Sequence, residues 1–161
     1  MGVEFYSLSN SYNLTGARIS FVVGNKDIIS RFRLLRSQID YGIFYPVQYA
    51  AIAAMKGPDE FIERQREEYG RRNRVLCGGL RRIGWNVPDS QGTMFVWAKI
   101  PEGYESSADF CMKLMEKTGV IVTPGSAFGS NGEGYVRMAL VVGTDMIEEI
   151  LQVLEDSGMF A

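Results

Sequence analysis

The sequence predicts an α/β fold in which helices lie between short strands. Three observations carry this reading. Two alternating, aromatic-rich stretches, VEFYSLS at Val3–Ser9 and RISFVVG at Arg18–Gly24, read as strands around a polar turn helped by Gly16. A run from Pro58 to about Ile83 repeats apolar residues at helical spacing. Beyond it, strand-like and helix-like segments alternate to the end of the chain.

Each element has a local reason. Two strands alone are marginal in water, so the first pair must join other strands, either later in this chain or in a sheet whose remaining strands lie outside it. MGVEF enters a strand almost directly, which favours the second expectation. Asn25 can cap a helix running to about Ile39, with Asp27 in its first turn. DYGIFYP is an aromatic loop, and Pro46 suits the first turn of a short apolar helix, PVQYAAIAAM. In the long helix Phe61, Ile62, Gln65, Tyr69, Leu76, Leu80 and Ile83 form the stripe, with only Gln65 polar. Asp59, Glu60 and Glu63 near its start and Arg81 and Arg82 near its end match the helix dipole. Glu60–Arg64 and Glu67–Arg71 have the spacing of favourable pairs. GTMFVWAKI (92–100) predicts a strand, 106–118 a helix, GVIVTPG a short strand and GYVRMALVV (134–142) another. Thr144 then caps a final helix whose buried stripe is Met146, Ile147, Ile150, Leu151 and Leu154. A seam falls near residue 25.

Composition narrows the chemistry. The 161 residues suffice for one compact domain with a core, and hydrophobic residues at 46% with charged residues at 22% exclude disorder. A net charge of −2 gives no electrostatic reason to expect nucleic acid or an anionic membrane as a partner. Cys77 and Cys111 fit neither a disulfide framework nor a CxxC metal site, which predicts a reducing, cytoplasmic setting. The N-terminal residues lack a signal-peptide pattern, and no apolar run has the length of a membrane span. There is no histidine, so Ser-His and Cys-His catalysis are excluded and a zinc site is not expected. Chemistry must rest on carboxylates, lysine, tyrosine, cysteine or a cofactor.

Two arginines are the candidates. Arg137 shares a strand face with Tyr135, Ala139 and Val141. A guanidinium on an apolar face needs an anion, and its planar fork suits a carboxylate. A structural ion pair or a strand-edge arginine reaching solvent satisfies the same constraint. Arg18 opens its strand directly after a turn holding Ser7, Ser9, Ser11 and Thr15. Hydroxyls, turn amides and one arginine can cradle a phosphate, although such turns also serve simply to satisfy their own backbone. RRNRVLCGGLRR is balanced by DEFIERQREE upstream and reads as a solvated helix face. Cys77, Cys111, Trp85, Trp97 and Phe95 read as packing residues.

Taken together these segments resemble the class I/II aminotransferases, the fold-type-I enzymes that use pyridoxal phosphate. SLSNSYNLTGARIS is similar to their cofactor-lysine motif, and TPGSAFGSNGEGYVRMAL to their C-terminal substrate-arginine motif. GPDEFIERQREEYGRRNRVLCGGLRRIGW and QGTMFVWAKIP resemble the body of their small domain, and IDYGIFYPVQ the branch of LL-diaminopimelate, aspartate and alanine aminotransferases. The resemblance implies two remnant strands of the large cofactor-binding domain at 1–25, and a connecting helix and small domain, a mostly antiparallel sheet covered by helices, at 26–161. It also implies contact of Ser7, Ser9 and Arg18 with the cofactor phosphate, and a grip by Arg137 on the α-carboxylate of an amino acid or 2-oxo acid. Residue 10 stands where the family has its Schiff-base lysine. Here it is Asn10, whose amide nitrogen is not basic; the nearest lysine is Lys26. Ser20, where a glycine is usual, is a smaller departure. The expectation is therefore part of an aminotransferase, inactive alone, binding little or no cofactor, and homodimeric or associated through strands. The rival is a non-catalytic module that self-associates, or complements a missing half, through exposed strand edges.

Overall fold

A computed structural model describes residues 2–160. They fall into two compact units, Met1–Gln65 and Arg66–Ala161. The boundary lies inside the long helix, so the segment after residue 25 groups with the strands before it.

In the first unit β1 (Val3–Ser7) pairs antiparallel with β2 (Ser20–Gly24), with Val3 opposite Gly24 and Ser7 opposite Ser20. Tyr6 and Phe21 stack across the pair, and Phe5 meets Phe32 edge-on. The first strand is shorter than the alternation predicts. Ser7 accepts the Ser9 N–H on its hydroxyl and thereby caps a one-turn helix, α1 (Leu8–Ser11). A 3-10 turn at Thr15–Ala17 leads into β2. Next come α2 (Lys26–Ser37) and α3 (Tyr45–Lys56). Asn25 Oδ1 accepts from the Asp27 and Ile28 amides, as its position predicts, and Pro46 lies in the first turn of α3.

The long helix α4 (Glu60–Arg82) buries Leu76 and Leu80 of its predicted stripe, while Phe61 at its start is exposed. Its charge pairs differ from the expected ones. Arg72 donates to the Leu140 carbonyl, and this anchored guanidinium, with Arg71, draws in Glu68 at 2.8 and 3.0 Å. Glu68 replaces Glu60 and Glu67 because only its partner is already held in place. Hydrogen bonds from Arg71 and then Arg72 hold its carboxyl below the usual value.

The second unit is built on β3 (Phe95–Lys99), β4 (Thr123–Pro124) and β5 (Tyr135–Ala139), antiparallel in the order β3-β5-β4. With them go α5 (Ser107–Thr118), capped by Ser106, and α6 (Thr144–Asp156). Thr144 is the first residue of α6, and the cap position belongs to Gly143, whose lack of a side chain leaves no hydroxyl cap. Val96, Ala98, Val136 and Met138 share one sheet face and join Leu80, Phe110, Leu114, Ile147, Leu151 and Leu154 in the core. Trp85 is buried as predicted, stacks on Phe160 and donates its indole N–H to the Lys99 carbonyl. Met146, expected in the α6 stripe, is exposed, because Ile147, Leu151 and Leu154 already fill the buried side. Among the described residues no helix is long and apolar enough to cross a membrane, and no cluster of side chains could hold a metal ion.

Leu80 is fully enclosed. Replacing it with alanine should cost about 2–5 kcal/mol, because the surrounding side chains close only part of the space left. Urea unfolding followed by circular dichroism should show a lower midpoint with an unchanged slope.

Candidate functional site

The turn after β1 ties three of the predicted residues together. Ser7 Oγ accepts from Ser9 N–H, Thr15 Oγ1 donates to the Ser9 carbonyl, and Arg18 Nη1 donates to the Thr15 carbonyl at 3.1 Å. Arg18 does not open the strand. It sits at φ 50°, ψ 47° and closes the 3-10 turn, and β2 begins two residues later. The left-handed conformation costs a non-glycine residue about 1–2 kcal/mol, and the backbone bond to Thr15 helps hold it there. Arg18 is exposed and makes no ion pair among the described residues. Asn10 is exposed on α1.

A phosphate fits this turn in part. Ser7 spends an oxygen lone pair on Ser9, which leaves its O–H free to donate, and Arg18 brings an unneutralised charge. Asn10 beside it offers an amide, whose nitrogen is not basic, so this position does not fit a group that must be bound through an amine.

Arg137 lies on β5, on the face opposite the core. Val136 and Met138 point inward, while Tyr135, Arg137 and Ala139 line the more open side. The expected apolar, buried setting is therefore corrected. Alternation specifies two faces but not which one is covered, and here the bulk of Val136 and Met138 takes the core. Val141 lies beyond the strand and is exposed. Arg137 has no carboxylate partner among the described residues. Its guanidinium carbon stands over the Phe95 ring at 4.3 Å from the centroid and over the Phe128 ring at 4.5 Å. Trp97, directly opposite Arg137 in the sheet, stacks with Tyr135 and meets Phe128 edge-on. Trp97 is 40% exposed and is not the core residue it was expected to be. Tyr135 lies on the Arg137 face as the alternation predicts, whereas Phe128 carries no individual signal in the sequence. Period two over Phe95–Lys99 places Phe95 and Trp97 on one face, but their meeting with Arg137 depends on the β3–β5 register.

The loop that brings Phe128 to this face is fastened at both ends. Gly125 and Gly132 approach so closely that a Cβ on either would overlap the other's backbone. Glu133 accepts from the Ser107 amide at 2.6 Å and from its own neighbour Gly134 at 2.8 Å, with the buried Ser107 hydroxyl 3.2 Å away. The Ser107 and Gly134 N–H groups hold the Glu133 carboxyl below its ordinary value.

The chain as a whole is similar to known enzymes. The family model for aminotransferase class I and II matches residues 2–154, and the chain belongs to that family. The LL-diaminopimelate aminotransferase of Halothermothrix orenii is 45% identical over 99% of this chain and 41% of its own. The glutamate-pyruvate aminotransferase AlaC of Escherichia coli is 44% identical, over 94% of this chain and 37% of its own. Among solved structures, apo-BacF from Bacillus subtilis matches with a TM-score of 0.95 at 34% identity, covering 99% of this chain and 41% of that one. An aminotransferase from Staphylococcus aureus matches with a TM-score of 0.91 at 32% identity, covering 98% and 42%. The chain thus spans about two fifths of the length of the curated relatives it matches. The family uses pyridoxal phosphate and works on amino acids and 2-oxo acids.

Glu133 gives the loop a pH signature. A carboxyl whose folded value is depressed contributes stability above its unfolded value and loses it as pH falls through the folded one. Glu133→Gln keeps an acceptor for Ser107 but removes the charge. Thermal unfolding should show a lower midpoint for the variant at pH 7, with the gap closing once the pH drops below about 4.

Proposed function

We propose that this chain carries the phosphate-binding turn and the substrate-carboxylate arginine of a pyridoxal-phosphate aminotransferase whose amino-transfer step is silenced at position 10. The supporting observation is Arg137, a guanidinium on an open sheet face with no acid paired to it among the described residues. The whole enzyme would move an amino group between an amino acid and a 2-oxo acid in a cytoplasmic setting. Residues 1–25 would belong to its larger domain, and 26–161 to the connecting helix and small domain.

Each side chain then has a task. Arg18 supplies the main counter-charge to the phosphate, and the Ser7 and Ser9 hydroxyls donate to its oxygens. Arg137 takes a carboxylate by two parallel N–H donors and fixes the orientation of the substrate's α-carbon. When bound, the cofactor supplies the electron sink that makes the α-proton acidic. Moving that proton requires a base at residue 10. The Asn10 amide nitrogen has its lone pair delocalised into the carbonyl, so it neither accepts the proton near neutral pH nor forms a covalent link. In the whole enzyme the groups that hold the phosphate and the carboxylate would survive this change, and proton transfer would not.

Asn10→Lys tests this reading. The variant and the unaltered chain are incubated with pyridoxal phosphate, reduced with borohydride and mapped by peptide mass. Position 10 should carry most of the label in the variant and none in the unaltered chain. Label spread equally over Lys26, Lys56, Lys99, Lys113 and Lys117 in both would sink the assignment of that turn.

One observation favours a second reading, a non-catalytic module that associates through its strands. Within the described residues β1 pairs only with β2, and Phe5 and Val23 of this pair are exposed. Sedimentation velocity over a range of concentrations should show a reversible dimer if the strand edges pair. A strict monomer at high concentration rules that reading out.

A further inference from the structure

We infer that Phe95 and Phe128 are positioning residues for Arg137, holding its guanidinium by the faces so that its N–H edge is presented ready-made to a carboxylate. The inference rests on the carboxylate role proposed for Arg137 and adds the groups that make the side chain competent for it.

An arginine on a solvent-facing strand samples many rotamers, and ordering it on binding costs much of what the new hydrogen bonds return. Two rings remove that freedom beforehand. Phe95 comes from β3 on one flank of β5, and Phe128 from the loop that follows β4 on the other. Both have their centroids within 4.5 Å of the guanidinium carbon. A ring face attracts the cation without using any of its N–H donors, because stacking engages the plane of the guanidinium and hydrogen bonding its edge. An acid in the same place would also hold the side chain, but it would occupy the fork and cancel the charge. None is paired with Arg137 among the described residues. The rings also displace water from beside the guanidinium, which strengthens its attraction for an anion.

The rings are themselves held. Trp97 meets Phe128 edge-on at 5.7 Å and stacks with Tyr135 at 5.8 Å, giving the loop ring a wall to rest on. Below it the Gly125–Gly132 contact and the Glu133–Ser107 hydrogen bonds fix the loop. Thr93, just before β3, has φ 70°, an unusual value for a β-branched residue, and its Oγ1 accepts the Phe95 N–H at 3.1 Å. The backbone that delivers Phe95 is thus pinned in one conformation.

The test follows the Arg137 Nε–H resonance by 1H–15N NMR in the unaltered chain, Phe128→Leu, Phe128→Tyr, Phe95→Leu and Arg137→Gln, the last identifying the signal. Phe128 is 51% exposed, so Phe128→Leu leaves the core untouched. In the free protein, ring currents should shift the signal upfield in the unaltered chain and in Phe128→Tyr, and the shift should shrink in each leucine variant. Titration with sodium propionate against sodium chloride at equal ionic strength should then give a saturable response. Its dissociation constant should rise about two- to fivefold in each leucine variant and stay near the unaltered value in Phe128→Tyr. Leucine variants that bind propionate as well as the unaltered chain would overturn the positioning role while leaving Arg137 as the carboxylate site. A response to propionate no larger than that to chloride in the unaltered chain would overturn the carboxylate reading itself, and the inference with it.

Discussion

A positive charge held by ring faces, with no negative charge paired to it among the described residues, is the interaction on which the second unit turns. The sheet has one face for the core and one for Arg137, and the residues of β3 and β5 divide strictly between them. Val96, Ala98, Val136 and Met138 serve burial, while Phe95, Trp97, Tyr135 and Arg137 gather on the other side. A shift of one residue in the pairing would exchange these sets and put a guanidinium into the hydrocarbon core. The register is therefore a condition of both stability and recognition. The tight glycine contact and the Glu133 hydrogen bonds extend the same condition to the loop that supplies Phe128.

Much of this was legible in the sequence, for reasons that differ by element. Helices announce their own ends. Asn25, Pro46 and Ser106 each act within a few residues of where they stand, so α2, α3 and α5 begin where local chemistry says they should. Strands do not, because their limits depend on partners far away in the chain. Ser7 and Ser9 fit the alternation of a strand, yet a hydroxyl that can take an amide two residues on ends β1 and starts a helical turn. Arg18 fits it equally and instead adopts a left-handed backbone. The same limit governed Trp97. Alternation placed it correctly beside Phe95, but only the pairing with β5 determined that this side would meet Arg137 and not the core.

The candidate site was legible where a residue type has few uses. An arginine in a strand demands an anion or an exit to solvent; Arg137 lies on the open face, has no carboxylate partner among the described residues and stands against aromatic rings that do not neutralise it. The two rings were invisible as a pair, one lying in a strand and one in a turn, 33 residues apart in the numbering. Phenylalanine carries no chemical signature of its own, and its role is defined entirely by what it stands against.

Position 10 separates what the fold requires from what the reaction requires. Asn10 is exposed on a single helical turn and contributes no hydrogen bond that the turn depends on, so the fold has no means of sensing whether a lysine is there. The hydrogen bonds that organise the turn come from Ser7, Ser9, Thr15 and Arg18, and they stand with asparagine in place. The proposed anion-binding groups are of the opposite kind. Arg18 adopts a left-handed backbone at a cost that packing alone gives no reason to bear, and Arg137 keeps an unneutralised charge against aromatic rings. On the proposed reading, asparagine at position 10 removes proton transfer and leaves these groups as they are. The proposed carboxylate grip of Arg137 does not depend on residue 10, and binding is the property by which the role of this chain should first be sought.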